Sequence, residues 1–113
     1  MAPKGLKTST QFKRVYKEGS REFGKSVVIC YLKSGSEGVL PGFVASKKVG
    51  NAIQRNRAKR LMRETFRKLR ERITEDNLMI VFIASFRPRE VTFREILEDV
   101  ENALGRAGLI SAN

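Results

Sequence analysis

The chain has 113 residues, 41% of them hydrophobic, which suits a single domain with a modest core and leaves too little apolar material for two. Its 23 Lys and Arg residues against 12 Asp and Glu give a net charge of +11, which predicts a polyanionic partner, most often nucleic acid or an anionic membrane surface. Histidine is absent and Cys30 is the single cysteine, so intrachain disulfides, cysteine-rich zinc sites and His-containing nucleophile triads are excluded.

The first predicted element is a short amphipathic helix. It begins near the hydroxyl residues Thr8 to Thr10, which suit an N-cap, and it stops at Gly19. Its apolar stripe consists of Phe12, Val15 and Tyr16.

Residues 19–26, GSREFGKS, match the phosphate-loop pattern G-x-x-x-x-G-K-[ST]. A true phosphate loop follows a strand and opens a helix, whereas here a helix precedes the segment and a strand follows it. Because a strand start is not expected to present converging N–H groups, we interpret Gly19 as a helix C-cap and Gly24 as a turn residue. A phosphate-loop nucleotidase is therefore a disfavoured alternative.

Two strands are predicted next. Residues 26–33, SVVICYLK, are apolar on both faces, and residues 42–50, GFVASKKVG, form the second strand, with Lys47 and Lys48 on opposite faces at its end. The intervening turn SGSEG makes a hairpin the simplest connection.

From Asn51 the apolar residues recur every three or four positions, which predicts a helix over residues 51–73. Opposite the apolar stripe lie Asn56, Lys59, Arg60, Arg63, Arg67 and Arg70. Only Glu64 and Glu71 balance the eleven basic residues of segment 47–72, whereas residues 73–113 are net acidic. We therefore interpret this helix face as a polyanion-binding surface rather than a merely solvated one.

The remaining pattern indicates a strand and a helix. Residues 78–86, LMIVFIASF, lack polar alternation, as in a central strand buried on both faces and ended before Pro88. Thr92 and Glu95 form a capping box for a last helix that stops near Gly105 or Gly108. The predicted order is α-β-β-α-β-α, in one domain over residues 1–113.

No apolar run approaches the roughly 20 residues needed to span a bilayer, and MAPKGLKTST lacks the apolar core of a secretory signal. We therefore expect a soluble, cytoplasmic protein without a membrane partner. Asp76 and Asp99 are the only aspartates and lie in no dense carboxylate cluster, so a self-contained metal-dependent nuclease is disfavoured.

Residues 46–64, SKKVGNAIQRNRAKRLMRE, closely resemble the signature of the protein component of bacterial ribonuclease P. FKRVYKEG and LMIVFIASFRP resemble that family's first helix and last strand, so the likeness spans nearly the whole chain. The resemblance implies an α/β (α+β) two-layer sandwich of the ribosomal protein S5 domain 2-like type. Its small mixed sheet would contain a left-handed βαβ crossover, against the general right-handed preference.

The resemblance also implies two RNA-binding regions. The region facing the catalytic RNA comprises Arg55, Asn56, Arg57, Lys59, Arg60, Arg63 and Arg67. A cleft between the first helix and the sheet would hold the single-stranded 5′ leader of precursor tRNA, at Phe12, Tyr16, Ser46, Lys47 and Lys48. Additional candidate phosphate contacts are Lys13, Arg14, Arg21 and Lys25. Tyr31 either lines this cleft or packs beneath a helix, and Val15 is expected in the core.

The implied function is that of a subunit, expected to be monomeric on its own, that binds the catalytic RNA and precursor tRNA and assists endonucleolytic removal of the leader. No catalytic residue and no cofactor are expected in the protein, because the chemistry would belong to magnesium ions held by the RNA. The alternative is a basic structural ribosomal protein.

Overall fold

The computed structural model describes residues 5–33 and 37–111 of the chain. Within those residues it contains three α-helices and four strands, in the order α-β-β-β-α-β-α. The helices are α1 (Ser9–Glu18), α2 (Ala52–Leu69) and α3 (Phe93–Arg106). The strands are β1 (Ser20–Phe23), β2 (Val27–Leu32), β3 (Gly38–Ala45) and β4 (Asn77–Ala84). Short 3₁₀ turns, Lys47–Val49 and Arg70–Arg72, flank α2.

The four strands form one mixed sheet in the order β1-β2-β4-β3. The central strand β4 pairs antiparallel with β2 and parallel with β3. Since α2 connects β3 to β4, the predicted βαβ crossover and mixed sheet are confirmed. The left-handed sense of that crossover stays an implication of the family resemblance.

Two features of the predicted topology are wrong. Ser20–Phe23, to which the sequence analysis assigned no strand, forms β1 and pairs with β2 in a hairpin. The hairpin predicted between β2 and β3 does not form, because β4 lies between these strands. The turn SGSEG assigned to that hairpin falls largely on residues 34–36, outside the described residues.

The bounds of β3 also differ from the prediction. The strand begins at Gly38, four residues earlier than expected, and it includes Pro41. A proline is tolerated there because β3 is an edge strand, where the missing N–H breaks no ladder bond. On the same edge of the sheet, the Pro41 carbonyl accepts a hydrogen bond of 3.0 Å from the N–H of Leu6.

The three helices begin and end close to the residues predicted from the sequence. Capping boxes join Thr8 to Gln11 at the start of α1 and Thr92 to Glu95 at the start of α3. The Asn51 side chain accepts a bond from the third N–H of α2 and caps that helix. The helix predicted over residues 51–73 is confirmed, with its last turn tightened into the 3₁₀ turn Arg70–Arg72.

Helices pack on both faces of the sheet. The main core lies between the sheet and helices α2 and α3, where Phe82 stacks on Phe43 with ring centroids 5.4 Å apart. On the opposite face α1 inserts Val15 against Cys30 and other buried residues of β2 and β4. The predicted α/β sandwich is confirmed, and α1 adds a partial layer to it. Tyr31 packs on the α2–α3 side, so it lies beneath a helix rather than in the cleft.

The Asp99 carboxylate of α3 binds the backbone of the loop that leads into β2. The N–H groups of Lys25, Ser26 and Val27 donate hydrogen bonds to its oxygens, at 2.7, 2.8 and 3.0 Å respectively. Gly24 permits this approach, because a Cβ at that position would lie 2.5 Å from Oδ2 of Asp99.

This arrangement corrects one expectation about the segment GSREFGKS. The start of a strand was not expected to present converging N–H groups, yet here three of them do converge. Their anion is a carboxylate of the chain itself, so these donors are already committed and hold no nucleotide phosphate. Gly19 is the C-cap of α1, as predicted.

Over the described parts of the chain, no helix has both the length and the apolar character that crossing a membrane requires.

Candidate nucleic-acid interface

A row of apolar side chains crosses the sheet on the face that carries α1. The strand register places Phe23 opposite Val28, Val28 opposite Ile83 and Ile83 opposite Val44. Residues directly opposite each other point to the same face of a sheet. The neighbouring row of the sheet, which includes the paired residues Cys30 and Val81, is buried beneath α1. Val28, Ile83 and Val44 are half-buried beside that helix. The four side chains, which we term the apolar row, therefore form the floor of an open cleft.

Two aromatic side chains of α1, Phe12 and Tyr16, lie on the same face of the sheet as the apolar row and belong to the same apolar cluster. Their ring centroids lie 6.4 Å apart and both rings are half-buried, whereas Val15 between them is fully buried, as expected. The Phe12 ring rests on β3 at Gly42, where a Cβ would lie only 2.7 Å from the ring. The absence of a side chain at Gly42 thus lets the aromatic ring approach the strand.

The hydroxyl of Tyr16 lies in a partly desolvated setting, with Cys30 and Arg21 close enough to affect its pKa. Burial of the hydroxyl raises the pKa of Tyr16, and the electrostatic effect of Cys30 raises this pKa further. The positive charge of Arg21 acts in the opposite direction and lowers it. The pKa of the Cys30 thiol is also raised by burial, and Arg21 again acts in the opposite direction. Both groups are therefore neutral at physiological pH, so Tyr16 retains a hydroxyl donor and Cys30 is a structural thiol rather than a nucleophile.

Ser46, Lys47 and Lys48 lie at the β3 end of the cleft, but not as strand residues. Pairing with β4 ends at Ala45, and the next residues form a 3₁₀ turn in which the Ser46 hydroxyl accepts from the Lys48 N–H at 3.3 Å. The prediction that the two lysines occupy opposite strand faces is therefore wrong. All three side chains are exposed, and Gly50, at φ 143°, turns the chain into α2.

A depression of about 560 Å³ continues from the cleft at the same end of the sheet. Ile83 belongs to both, and Ser46, Lys48 and Arg87 add polar and cationic groups to the lining. Sequence reasoning missed the apolar row and Arg87, because the row exists only through the pairing of four strands.

The four further basic residues proposed as phosphate contacts are all exposed: Lys13, Arg14, Arg21 and Lys25. Arg14 pairs with Glu18 at 3.4 Å within α1. Arg21 and Lys25 lie on either side of Phe23, in β1 and in the loop after it. The structure thus brings Arg21 and Lys25 to the β1 end of the cleft.

The second basic surface is the solvent-facing side of α2, which we term the basic face. It consists of Arg55, Asn56, Arg57, Lys59, Arg60, Arg63 and Arg67. All of these side chains are exposed except Arg55 and Lys59, which are half-buried. The opposite side of the helix is buried at Ala58, Met62, Thr65 and Leu69.

Several groups on the basic face are held in position. The Arg63 guanidinium lies over the Phe43 ring, 5.5 Å from its centroid, and Arg60 pairs with Glu64 at 3.5 Å. Arg55 and Arg57 diverge by roughly 200° around the helix axis, so they lie at opposite margins of the basic face. Arg63 and Arg67 also line a groove of about 890 Å³ along the outer edge of β3.

The two surfaces meet at residues 46–51, where the end of β3 leads into α2. One surface joins apolar and aromatic groups to flanking cations, which suits unpaired bases, and the other is a dense array of guanidinium and ammonium groups, which suits phosphates. Among the described residues, no group of three or more His, Cys, Asp or Glu side chains is placed to hold a metal ion.

Comparisons with known proteins agree on one family. The family model described as Ribonuclease P matches residues 2–108. The ribonuclease P protein component of Clostridioides difficile (strain 630) is 38% identical over 106 residues, which cover 94% of this chain and 93% of that protein. That of Caldanaerobacter subterraneus subsp. tengcongensis is 34% identical over 104 residues, with coverages of 92% and 89%.

Solved structures give the same result for the fold. The RNase P protein of Staphylococcus aureus superposes with a TM-score of 0.83 at 27% identity, covering 97% of this chain and all of that one. The RNase P protein of Thermotoga maritima superposes with a TM-score of 0.78 at 29% identity, with coverages of 92% and 97%. These likenesses support the predicted fold and give no support to the alternative of a structural ribosomal protein.

Proposed function

Because the chain belongs to the ribonuclease P protein family, we propose that its two surfaces bind two different RNAs. The basic face of α2 binds the catalytic RNA of the holoenzyme, and the cleft beside α1 binds the 5′ leader of precursor tRNA. The observation that carries this division is the difference in chemistry between the surfaces, one predominantly cationic and the other apolar with cations at its ends.

The family membership itself defines the general role. Proteins of this family are subunits of an endoribonuclease and work with the ribonuclease P RNA. The chain is therefore an enzyme subunit in tRNA processing rather than a ribosomal structural protein.

The basic face suits a folded RNA because its groups bind phosphates without reading sequence. Guanidinium forks donate paired hydrogen bonds to phosphate oxygens, and the N-terminus of α2 adds a favourable field for an anion. Arg57, Arg67 and Asn56 are exposed, so their donors reach a ligand without rearrangement of the core.

The cleft suits a single strand because its floor offers apolar surface rather than a phosphate-binding array. The apolar row spans three inter-strand gaps of about 4.8 Å, or roughly 14 Å, which accommodates only a few unpaired bases. Phe12 and Tyr16 supply stacking surface, and lysines or arginines at both ends neutralise the backbone. Paired bases already stack within a duplex and expose no faces to such a floor.

The chain's own residues bind and orient RNA in this proposal. In this proposal the magnesium ions that support phosphodiester hydrolysis belong to the RNA subunit. The chain acts as a single, monomeric domain in the cytoplasm, where it neutralises closely packed phosphates and holds the substrate leader.

The proposal is tested by assaying cleavage of precursor tRNA by the catalytic RNA alone at low magnesium concentration and then adding the protein. We expect the protein to restore cleavage, because bound cations replace part of the magnesium requirement. A cationic peptide of equal net charge is the control for unspecific neutralisation. If the protein restores no more activity than this peptide, the proposed function is wrong.

Replacing Phe12 with leucine is expected to impair precursors with long leaders selectively. Leucine still fills the space above Gly42 but removes the aromatic face, and base stacking contributes about 1–3 kcal/mol per base. The measurement is the holoenzyme's Kd for precursors with leaders of increasing length. Phe12→Tyr is the control that keeps the ring, and an equal loss at every leader length would remove Phe12 from the leader site.

A further inference from the structure

An aromatic side chain at the edge of the sheet has no role in the core. Phe23 is 67% exposed, and with Ile53 it is one of two large hydrophobic side chains exposed in the described residues. Exposed phenylalanine on an edge strand is a liability for a soluble domain, because it offers apolar surface next to unpaired backbone groups. Its exposure therefore suggests a ligand.

The strand register places this ring in the cleft described above. Phe23 pairs with Val28, and it completes the apolar row that ends at Val44. The side on which it lies is independently indicated by its neighbours. Glu22 pairs with Arg106 of α3 on the other face, whereas Arg21 lies opposite Cys30, which is buried on the α1 face. Since alternate residues of a strand share a face, Phe23 points to the same side as Arg21.

The backbone that carries Phe23 is held in place. One nitrogen of Arg106 donates to the Phe23 carbonyl at 3.0 Å and another donates to the Glu22 carboxylate at 2.9 Å. The ring is thus presented from a fixed strand rather than from a loose loop. A positioned aromatic face loses little conformational entropy when a base stacks on it.

The charges around Phe23 identify the occupant as a polyanion rather than an apolar peptide. Arg21 and Lys25, both exposed, lie within two residues on either side of the ring. An aromatic face flanked by cations matches the pattern by which proteins bind single-stranded nucleic acid.

We propose that Phe23 is a base-stacking residue for the RNA single strand held in the cleft and extends the binding site to the β1 edge. This inference rests on the proposed leader-binding function and deepens it. Phe12 rests on β3 and Phe23 lies on β1, at opposite edges of the sheet, so the two rings contact different nucleotides of the same strand.

The test measures holoenzyme affinity for precursor tRNAs whose leaders lengthen one nucleotide at a time, with Phe23→Ala, Phe23→Trp and Phe12→Leu variants. Phe23→Ala is expected to weaken binding at least five-fold once the leader reaches the ring, and Phe23→Trp to retain the affinity. The leader length at which the loss begins should differ between Phe23→Ala and Phe12→Leu. Thermal unfolding of Phe23→Ala should be close to that of the original protein, because the ring is exposed.

The outcomes separate this inference from the proposed function. If Phe12→Leu shows a leader-dependent loss and Phe23→Ala shows none, the role of Phe23 is refuted and the cleft stands. If neither variant depends on leader length, the cleft assignment itself fails. Concentration-dependent dimerisation that Phe23→Ala abolishes, without any leader effect, would also overturn the inference by assigning the ring to a second copy of the chain.

Discussion

Replacing Arg57 or Arg60 with alanine is expected to weaken binding to the catalytic RNA by about 1.5–3 kcal/mol, the contribution of a charge-assisted hydrogen bond. This corresponds to an increase in Kd of roughly ten- to 150-fold. Both side chains are exposed on the basic face, so their removal creates no cavity in the core. The slope of log Kd against log salt should fall in magnitude by about one for each lost phosphate contact.

Arg94→Ala is the matched control for these variants. Arg94 is 85% exposed on α3 and pairs only weakly with Glu98, so its replacement removes the same charge from a different surface. We expect the RNA affinity of this variant to change by less than a factor of about three, because long-range charge is screened at physiological salt. An equal loss for Arg57→Ala and Arg94→Ala would show that net charge, not the basic face, determines binding.

The second large effect is on folding stability and concerns Asp99. Asp99→Ala leaves three neighbouring backbone N–H groups without their acceptor at the start of β2. Hydrogen bonds to a charged group contribute about 1.5–3 kcal/mol each when well formed, and these sites are partly solvated, so we expect a loss of about 3 kcal/mol in the free energy of unfolding. For a domain of this size the melting temperature should fall by roughly 10–20 °C.

The neighbouring Glu98 provides the control for Asp99. Glu98 is exposed on the same helix turn and pairs with the exposed Arg94, so Glu98→Ala should change the free energy of unfolding by at most about 0.5 kcal/mol. Chemical denaturation of both variants measures the difference directly. Equal stability of the two variants would mean that solvent replaces the Asp99 carboxylate at no cost.

Helical elements of this fold are predictable from the sequence because their signals are local. The caps at Thr8, Asn51 and Thr92 lie next to apolar residues at helical spacing, and each cap is observed. The same periodicity predicted which side chains lie opposite the buried side of α2, namely Asn56, Lys59, Arg60, Arg63, Arg67 and Arg70. All of them except the half-buried Lys59 are exposed. Arg55 and Arg57 were assigned to the basic face by the family resemblance and not by spacing.

Strand pairing is harder to predict from the sequence than the helices are, because it depends on residues that are distant in the sequence. The strand β1 has four residues, only one of them apolar, and its structure is stabilised by pairing with β2. The hairpin expected between β2 and β3 does not form because β4 inserts between them, although β4 begins only at Asn77, after the whole of α2. The cleft floor could not be predicted for the same reason, since its four side chains come from four strands.

The segment GSREFGKS illustrates the same limit. Its glycines were correctly assigned to a helix cap and a turn, but the strand inside it and its anionic partner were not anticipated. The carboxylate that its N–H groups bind lies 72 to 74 residues away in sequence. No local pattern connects the two.

The central claim is that the two surfaces bind different RNAs. The most direct test measures two affinities for the Arg57→Ala and Phe12→Leu variants: that of the protein for the catalytic RNA, and that of the assembled holoenzyme for precursor tRNA with a long or a single-nucleotide leader. We predict that Arg57→Ala weakens only binding to the catalytic RNA and that Phe12→Leu weakens only binding to the long-leader precursor. If both variants lose both affinities to the same extent, the division into two surfaces is contradicted.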